Sequence, residues 1–346
     1  MENTEKKIKV GITHGDINGI GYEVIIKTLL DKRITELCIP IVYGSPKLAS
    51  YHRKSLNIEN FSLNIIKNPG NANPKRANVI NCVSENTRIE LGKSTKESGA
   101  AAFASLEAAT KDLTEGKIDV LVTAPINKNS IQSDEFQFPG HTEYLQTKTN
   151  SENVLMLMIG NNMKIGVVTG HIPLKNVSYE ITEERILNKL QILNNSLLKD
   201  FTLRKPKIAV LGLNPHASDN GIIGTEEEEI IIPAINKARD EGIMAVGPYA
   251  ADGFFGSQSY LKFDAILAMY HDQGLAPFKA IEFESSVNFT AGLPIIRTSP
   301  GHGTAFEIAG KGIASEESFR QALFTALKIF KNRKLYDEIS KNPLSN

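Results

Sequence analysis

Short apolar runs recur along this chain, and nearly all of them end near a glycine, a proline or a histidine. They lie at Ile8–Thr13, Cys38–Tyr43, Val120–Thr123, Val154–Ile159, Ile165–Thr169, Ile208–Leu213, Ala265–Tyr270 and Pro294–Thr298. Most runs are continuous rather than alternating and are rich in β-branched residues, which is typical of parallel strands buried on both faces. The sequence therefore predicts a largely parallel sheet.

Amphipathic helices are predicted between several of these runs. Lys96–Leu113 is rich in alanine with apolar residues at helical spacing, and Thr182–Phe201 places isoleucine and leucine along one stripe. Thr225–Glu228 has the pattern of a capping box at a helix start. Strands that alternate with helices imply right-handed crossovers and a three-layer α/β/α architecture. The weakly patterned segment Asn57–Arg88 is expected at an edge.

Length and charge exclude several classes of protein. A chain of 346 residues suggests two domains or one large one, and 41% hydrophobic with 23% charged residues is typical of a globular protein. Lys and Arg total 39, as do Asp and Glu, so no net charge attracts nucleic acid or an anionic membrane. The longest clean apolar runs fall far short of the roughly 18 residues that a membrane span needs. Any anion site must therefore be local.

The cysteines and the chain start bear on the compartment. Cys38 and Cys82 are too few for a disulfide framework or a zinc site of four thiolates, and they fit a reducing environment. The polar start, Met1–Lys7, lacks the long apolar stretch of a secretory signal. We expect a cytoplasmic protein.

Four of the seven histidines directly follow a predicted strand: His14, His171, His216 and His271. The carboxyl ends of parallel strands share one edge of a sheet, and ligands bind there. Neutral imidazole is the commonest metal ligand, so these residues predict a metal site at that edge. The alternative is that each histidine only bonds a nearby backbone carbonyl. No HExxH or paired-cysteine motif is present to decide between them.

Polar residues flank two of these histidines, in Asn214–Ala217 and Tyr270–Gly274. Carboxylates and amides behind a metal-bound imidazole fix its tautomer and orientation. Asp272 fits that role, and it equally fits the role of a helix N-cap.

Three further segments suit an anion. Thr13–Gly21 is a glycine-containing loop between strand and helix, which either brings backbone amides to an anion or only turns the chain. Arg297–Ala305, with Lys279 and Asn288 upstream, combines cations with a glycine-rich turn that suits phosphate or carboxylate. In Pro139–Glu143, Thr142 is a candidate helix cap beside free amides.

Taken as a set, these motifs resemble the 4-hydroxythreonine-4-phosphate dehydrogenase family of vitamin B6 biosynthesis. The resemblance spans Ile12 to Gly310. It is carried by Thr123-Ala124-Pro125-Ile126-Asn127-Lys128, Gly140-His141-Thr142-Glu143, His171-Ile172-Pro173-Leu174, Leu213-Asn214-Pro215-His216-Ala217, Tyr270-His271-Asp272-Gln273-Gly274-Leu275 and Arg297-Thr298-Ser299-Pro300.

The resemblance implies a set of site residues. A divalent metal (zinc, magnesium or cobalt) would be held in a site shared between the subunits of a homodimer, by His171, His216 and His271. Substrate contacts would come from His141, Thr142, Lys279, Asn288 and Arg297. NAD or NADP would be lined by a loop similar to that of isocitrate and isopropylmalate dehydrogenases, made of His302, Gly303, Thr304 and Ala305 and followed by Ile308-Ala309-Gly310.

The implied fold is similar to that of isocitrate and isopropylmalate dehydrogenases, with two lobes and a cleft between them. The lobe on the cofactor side would comprise residues 1–135 and 285–346. The lobe that carries the metal and the dimer contact would comprise residues 136–284.

The implied reaction is the NAD(P)-dependent oxidation of 4-phosphooxy-L-threonine at its C3 hydroxyl. The resulting 3-oxo acid would lose carbon dioxide to give 3-amino-2-oxopropyl phosphate, on the way to pyridoxal phosphate. Asp252 and Lys279 are the candidates for the base, with Asp252 preferred. The alternatives are a paralogous dehydrogenase of threonate or erythronate 4-phosphate, a metal-dependent hydrolase, and a metabolite-binding regulator without metal.

The chain departs from the family pattern at two places. In the first loop, Ile17, Asn18 and Tyr22 replace two prolines and an alanine. After Asn-Pro-His-Ala, Ser218-Asp219 replaces Gly-Glu. Both departures leave the three metal histidines unchanged, and they bear on which substrate the site accepts.

Overall fold

The computed structural model describes residues 7–341 of the chain. The strands are β1 Ile8–Thr13, β2 Cys38–Gly44, β3 Asn64–Ile66, β4 Asn78–Asn81, β5 Val120–Thr123, β6 Leu155–Ile159, β7 Lys164–Thr169, β8 Lys207–Leu211, β9 Met244–Tyr249, β10 Ala265–Tyr270, β11 Val287–Ala291 and β12 Arg297–Pro300. The α-helices are α1 Gly21–Leu30, α2 Ile34–Leu37, α3 Pro46–Ser55, α4 Lys96–Thr114, α5 His141–Lys148, α6 Val177–Glu180, α7 Glu183–Lys199, α8 Ile232–Asp240, α9 Ala251–Gly256, α10 His271–Glu282 and α11 Glu317–Ile339. Among residues 7–341, none of the helices has both the length and the apolar character that crossing a membrane requires.

The chain divides into two compact units. Unit 1 comprises Met1–Asn150 and Pro294–Phe330, and unit 2 comprises Ser151–Leu293 and Lys331–Asn346. The lobes expected from the sequence were divided near residues 135 and 284 instead. Aromatic packing places α5 in unit 1, because the Tyr144 ring lies 5.5 Å from that of Phe136 and 6.1 Å from that of Phe103.

The end of α11 belongs to unit 2 because of a buried ion pair there. Arg333 Nε lies 2.6 Å from Asp200 Oδ1, and the two side chains are 14% and 3% exposed. Asn332 Nδ2 also donates to the backbone oxygen of Asp200. These contacts hold the last turns of the helix on α7.

Unit 1 has a parallel sheet with the strand order β3-β4-β2-β1-β5-β12. The two central strands β1 and β2 are buried along almost their whole length, as the continuous apolar runs predicted. Helix α4 packs against β1, β2 and β5. The weakly patterned segment Asn57–Arg88 contains β3 and β4 and does lie at the edge of this sheet.

Unit 2 has a mixed sheet with the strand order β11-β6-β7-β10-β8-β9. Strands β7, β10, β8 and β9 are parallel to one another, whereas β6 is antiparallel to both of its neighbours. Helices α7 and α10 pack against β7 and β10. The α10 side of the sheet carries an apolar core that includes Ile165, Ile266 and Phe278, so four parallel strand ends are held firmly in register.

The first of the four strand-end histidines is buried inside unit 1. His14 is fully buried and bonds Gly15 O through Nδ1 at 2.8 Å. Its ring stacks on Tyr22, which stacks in turn on the buried His52, with ring centroids 5.1 and 5.0 Å apart. The expectation that all four imidazoles meet on one rim is therefore wrong, since His14 is packed against an aromatic ring rather than open to a ligand.

Acid should weaken this stack. Burial lowers the pKa of both His14 and His52 from 6.5 to about 4, so the unfolded chain takes up protons first as the pH falls below 6.5. The contribution of each histidine to the free energy of unfolding is fully present at pH 7. It should fall by on the order of 3 kcal/mol per histidine as the pH approaches 4. We expect His52→Phe, which keeps a ring on Tyr22, to flatten the curve of unfolding free energy against pH. Urea titrations between pH 7 and 4 measure it, and parallel curves for the two proteins would contradict the assignment.

Candidate functional site

The four parallel strands of unit 2 deliver polar residues to one edge of their sheet. His171 follows β7 after one glycine, His271 directly follows β10, and His216 lies in the loop after β8. Asp252 follows β9. The ends of β7, β8 and β10, which precede these three histidines, thus lie at one edge of the parallel part of the sheet.

His171 and His271 lie side by side. Their ring centroids are 5.4 Å apart and the ring planes are inclined at 45°. Two imidazoles that bind one tetrahedral ion through nitrogens at about 2.1 Å place their ring centroids roughly 5 Å apart. His271 Nδ1 pairs with Asp272 Oδ1 at 2.7 Å, so Nε2 is the ring nitrogen that this contact leaves open to a ligand.

His216 lies in a loop of unusual backbone. His216, Ala217, Ser218, Asp219 and Asn220 all have left-handed φ values between 48° and 70°. Each such non-glycine residue costs roughly 1–2 kcal/mol. The His216 side chain is exposed, and helix α9 packs against this loop. The loop therefore carries an accessible imidazole on a backbone that its surroundings must hold in place.

Glu227 holds the base of that loop. Its carboxylate is fully buried, and Oε1 accepts from the backbone N–H groups of Leu213 and Asn214, both at 2.7 Å. Oε2 accepts from Asn214 Nδ2 at 2.9 Å. The capping box predicted at Thr225–Glu228 is wrong, because the segment Glu227–Ile231 is a π-helical turn that begins without a side-chain cap. Within this turn, the Glu227 side chain is buried.

The three histidines do not form a complete metal site within one chain. Among residues 7–341, no group of three or more His, Cys, Asp or Glu side chains is arranged to hold an ion. The donors present, two adjacent imidazoles with a carboxylate behind one of them, nevertheless have the chemistry that a divalent metal such as zinc prefers.

Unit 1 contains a buried cation. Arg297, the first residue of β12, is 3% exposed, and its Nε and Nη2 donate to Thr123 Oγ1 at 3.0 and 2.7 Å. Burial lowers the pKa of Arg297 to about 10, although the Glu143 carboxylate opposes this. Within the described chain, Arg297 forms no ion pair. A buried charge paired only with a hydroxyl is costly until an anion arrives.

His141 lies beside this cation at the start of α5. It is 9% exposed, and its Nε2 has no hydrogen-bond partner among the described residues. Burial, followed by the charges of Arg297 and Lys128, lowers the pKa of His141 well below its ordinary value, so the ring is neutral at pH 7. Thr142, the candidate helix cap, is instead the second residue of α5, and the N-cap is Gly140. Two charges, an open imidazole nitrogen and a helix start together suit a phosphate.

Two other predicted substrate contacts belong to unit 2. Asn288 lies on β11, and its buried Oδ1 has no partner within residues 7–341. Lys279 is exposed in the last turn of α10. The orphaned Asn288 oxygen is an acceptor that a substrate hydroxyl or ammonium group would satisfy.

The preferred base, Asp252, is exposed in the first turn of α9. Helix α9 is short, since it spans only Ala251–Gly256. Because α9 follows β9, the carboxylate lies at the edge of unit 2 where the strand-end histidines are found.

The predicted dinucleotide loop follows β12 in unit 1. Gly301 N donates to Ser318 Oγ at 3.0 Å, and Ala305 is left-handed with a φ of 45°. The backbone oxygen of Thr304 accepts from Ile20 N at 3.1 Å, which joins this loop to the first loop. A Cβ added at Gly303 would meet nothing within 4 Å, so the loop has room on the side where a cofactor could lie.

The first loop, Thr13–Gly21, has a structural role. Asp16 is buried and accepts from Ser98 Oγ and Ser130 Oγ, both at 3.1 Å. Burial is the main cause that raises the pKa of this carboxyl. Of the two interpretations of this segment, the tight turn between strand and helix is the one that these contacts support.

Several polar residues of these sites escaped the sequence analysis as individual contributors. Thr123, which accepts from Arg297, and Lys128 both lie within the motif Thr123–Lys128, but neither was singled out. Glu227 resembled an ordinary helix-start residue. The Gln273 side chain, close to His271, bridges two backbone segments.

Comparisons with known proteins agree with this geometry. Residues 36–326 match the family model described as pyridoxal phosphate biosynthetic protein PdxA. A 4-hydroxythreonine-4-phosphate dehydrogenase from Bacteroides thetaiotaomicron is 54% identical over 98% of this chain and 93% of that protein. A protein from Oceanobacillus iheyensis, provisionally named D-threonate 4-phosphate dehydrogenase, is 40% identical over 94% of this chain and 98% of its own length.

Solved structures confirm the fold class. The crystal structure of 4-hydroxythreonine-4-phosphate dehydrogenase from Klebsiella pneumoniae matches with a TM-score of 0.83 at 33% identity, covering 95% of this chain and 99% of that one. Isocitrate dehydrogenase from Methylococcus capsulatus matches with a TM-score of 0.50 at 11% identity, over 96% of this chain and 89% of that one, which is a likeness of fold alone. The predicted α/β/α fold similar to isocitrate dehydrogenase is confirmed. On the family match and the identities together, the chain belongs to the PdxA family, the 4-hydroxythreonine-4-phosphate dehydrogenases of pyridoxal phosphate biosynthesis.

Proposed function

We propose that this protein oxidises 4-phosphooxy-L-threonine with NAD or NADP and releases the decarboxylated product, 3-amino-2-oxopropyl phosphate. The observation that carries the proposal is the buried cationic pocket of unit 1. Arg297 has a hydroxyl as its side-chain hydrogen-bond partner, and the neutral His141 beside it offers an unpartnered Nε2. A dianionic phosphate satisfies both groups, which explains why a phosphorylated substrate is bound.

A divalent metal fits the histidines of unit 2. His171, His216 and His271 would hold it, with Asp272 orienting His271 through the 2.7 Å contact with Nδ1. A metal bound there would supply Lewis acidity, both to the substrate hydroxyl and to the negative charge that develops on loss of carbon dioxide. Zinc, magnesium and cobalt are the candidate ions.

The chain itself supplies positioning and proton transfer. Arg297, His141 and Thr142 bind the phosphate end, and Asn288 and Lys279 are assigned to the rest of the substrate. Asp252 is the proposed base that takes the alcohol proton, and Lys279 is the second candidate. The loop of His302, Gly303, Thr304 and Ala305 orients the nicotinamide cofactor, which accepts the hydride.

We further propose a homodimer that shares the metal site. The segments that follow His171 and His216 expose large apolar side chains, since Leu174 is 72%, Tyr179 of α6 85% and Ile222 79% exposed. Apolar side chains around a ligand loop are typical of an interface. A site that is incomplete in one chain and flanked by such residues supports a contribution from a second copy.

The second candidate substrate is D-threonate 4-phosphate, favoured by the name of the Oceanobacillus relative. The departures at Ile17, Asn18 and Tyr22 leave the phosphate pocket and the histidines intact. Both substrates share the phosphate and the hydroxyl, and they differ at C2, which carries an amino group in one and a hydroxyl in the other.

A substrate panel tests the proposal. Purified protein is mixed with 4-phosphooxy-L-threonine, D-threonate 4-phosphate or D-erythronate 4-phosphate, with NAD or NADP, before and after chelator treatment. We expect absorbance at 340 nm to rise with the threonine derivative, carbon dioxide to appear, and chelation to stop both. Release of inorganic phosphate without reduced cofactor would point to a hydrolase and overturn the dehydrogenase assignment.

A further inference from the structure

The three strand ends that carry the histidines are tied together at the backbone of one residue, Met269 of β10. Thr169, the last residue of β7, donates from Oγ1 to Met269 O at 2.9 Å. Gln273 Oε1 accepts from Met269 N at 2.7 Å, and Gln273 Nε2 donates to Gly212 O, just after β8, at 2.6 Å. Two side chains thus connect β7 to β10 and β10 to β8.

Each connection lies close to a histidine in the chain. Thr169 is two residues before His171, Gln273 is two residues after His271, and Gly212 is four residues before His216. Thr169 is 2% exposed and Met269 is fully buried, so water competes little for the bond between them. The spacing of the three strand ends is therefore set by side-chain bonds in addition to the ladder of the sheet.

The loop that leads to His216 is held from a second side. Glu227 accepts from the amides of Leu213 and Asn214, and Gly212 N donates to Tyr249 O at 2.8 Å. A Cβ at Gly212 would lie 3.0 Å from Ala217 Cβ and from Glu227 Oε1, so the backbone is closely packed there. The bond from Gln273 is the one in this set that fixes the loop relative to the start of α10.

We propose that Gln273, assisted by Thr169, is a positioning residue that holds the ends of β7, β10 and β8 in a fixed arrangement, and with them the histidines that one chain contributes to the metal site. This inference rests on the proposed metal site. The position requires an uncharged amide, because one end must accept from an N–H group while the other donates to a carbonyl oxygen. A glutamate would place a carboxylate oxygen against Gly212 O and replace attraction by repulsion. Residues that orient metal ligands typically change metal affinity by about 10–100-fold.

Cobalt binding tests the inference. The metal-free dimer is titrated with Co²⁺, and the dissociation constant is read from the visible absorption of the ion. We expect Gln273→Glu to weaken binding by about 10–100-fold. Saturating Co²⁺ should restore most of kcat, and the KM for the phosphorylated substrate should change little, because the phosphate pocket lies in unit 1. Gln132→Glu is the matched control, since Gln132 Nε2 also donates to backbone carbonyls, of Lys128 and Phe138.

The outcomes separate this inference from the proposed function. If the unmodified protein binds no Co²⁺, both the metal site and the positioning role are overturned. If it binds Co²⁺ and Gln273→Glu binds it equally well, only the positioning role fails. Should Gln273→Glu not fold, Thr169→Val removes the side-chain donor to Met269 O and keeps the β-branched shape. That variant should also weaken Co²⁺ binding, and an unchanged dissociation constant would overturn the inference.

Discussion

His271→Ala should reduce dehydrogenase turnover by a factor of about 10³ or more and lower the amount of retained divalent metal. The imidazole lies 5.4 Å from that of His171 between ring centroids, so its removal takes away one of two adjacent donors. The Lewis acidity of a bound ion contributes several kcal/mol, and each 1.36 kcal/mol is a tenfold change in rate. Metal analysis and the rate of cofactor reduction, at saturating substrate, measure the two effects.

Asp272→Asn is the graded control for this prediction. It keeps a side chain that accepts from His271 Nδ1 but removes the negative charge, so the loss of metal affinity should be about 10–100-fold. Full metal content and full activity in His271→Ala would overturn the assignment of His271 as a metal ligand.

Mixed dimers extend the same prediction to the shared site. When the alanine variants of His171, His216 and His271 are unfolded and reassembled in pairs, activity returns only if the two histidines come from different subunits. A random mixture then contains half heterodimers with one intact site each, so about a quarter of the normal activity should return. No recovery in any pair would show that all three histidines act within one chain.

Arg297→Met should lower kcat/KM for the phosphorylated substrate by a factor of roughly 10². The side chain is buried, and within residues 7–341 its hydrogen bonds go to Thr123 Oγ1 alone, so the proposed phosphate would be its counter-charge. A hydrogen bond to a charged group contributes about 1.5–3 kcal/mol, and a bidentate guanidinium can make two. Initial rates at varied substrate concentration give the value.

Two comparisons make this result specific. The KM for NAD should stay near that of the unmodified protein, because Arg297→Met removes a contact proposed for the substrate phosphate. Arg297→Lys keeps the charge without the planar fork of the guanidinium. Its kcat/KM for the phosphorylated substrate should therefore lie between those of the unmodified protein and Arg297→Met. An unchanged KM for the phosphorylated substrate in Arg297→Met would refute the phosphate assignment.

Strand positions were largely predictable because buried parallel strands have a strong local signal. β1, β5 and β10 begin and end at the predicted residues. β3 and β4 were missed because asparagine interrupts their short apolar pattern, at Asn64 in β3 and at Asn78 and Asn81 in β4. β11 was missed because Asn288 and Thr290 interrupt its apolar pattern, as suits a strand that is antiparallel to its partner.

The site was predictable where it depends on strand ends and not where it depends on long-range partners. Strand ends alone placed His171, His216 and His271 at one edge of unit 2. By contrast, Glu227 has the local pattern of a helix start, and only the amides of Leu213 and Asn214, far from it in sequence, decide where its carboxylate points. Gln273 is similar, since its partner Gly212 is 61 residues away.

The left-handed stretch from His216 to Asn220 bears on how this enzyme can diverge or be engineered. Ser218, whose φ is 70°, stands where the family pattern that this chain resembles has glycine. Glycine adopts that backbone freely, whereas β-branched residues there are strongly disfavoured. The loop therefore tolerates a narrow range of side chains. We expect a substitution in it to be accepted only together with compensating changes at Glu227 and Gln273, whose side chains hold the backbone at the start of the loop. Coordinated replacement of these distant positions is the expected route by which substrate preference shifts without loss of His216.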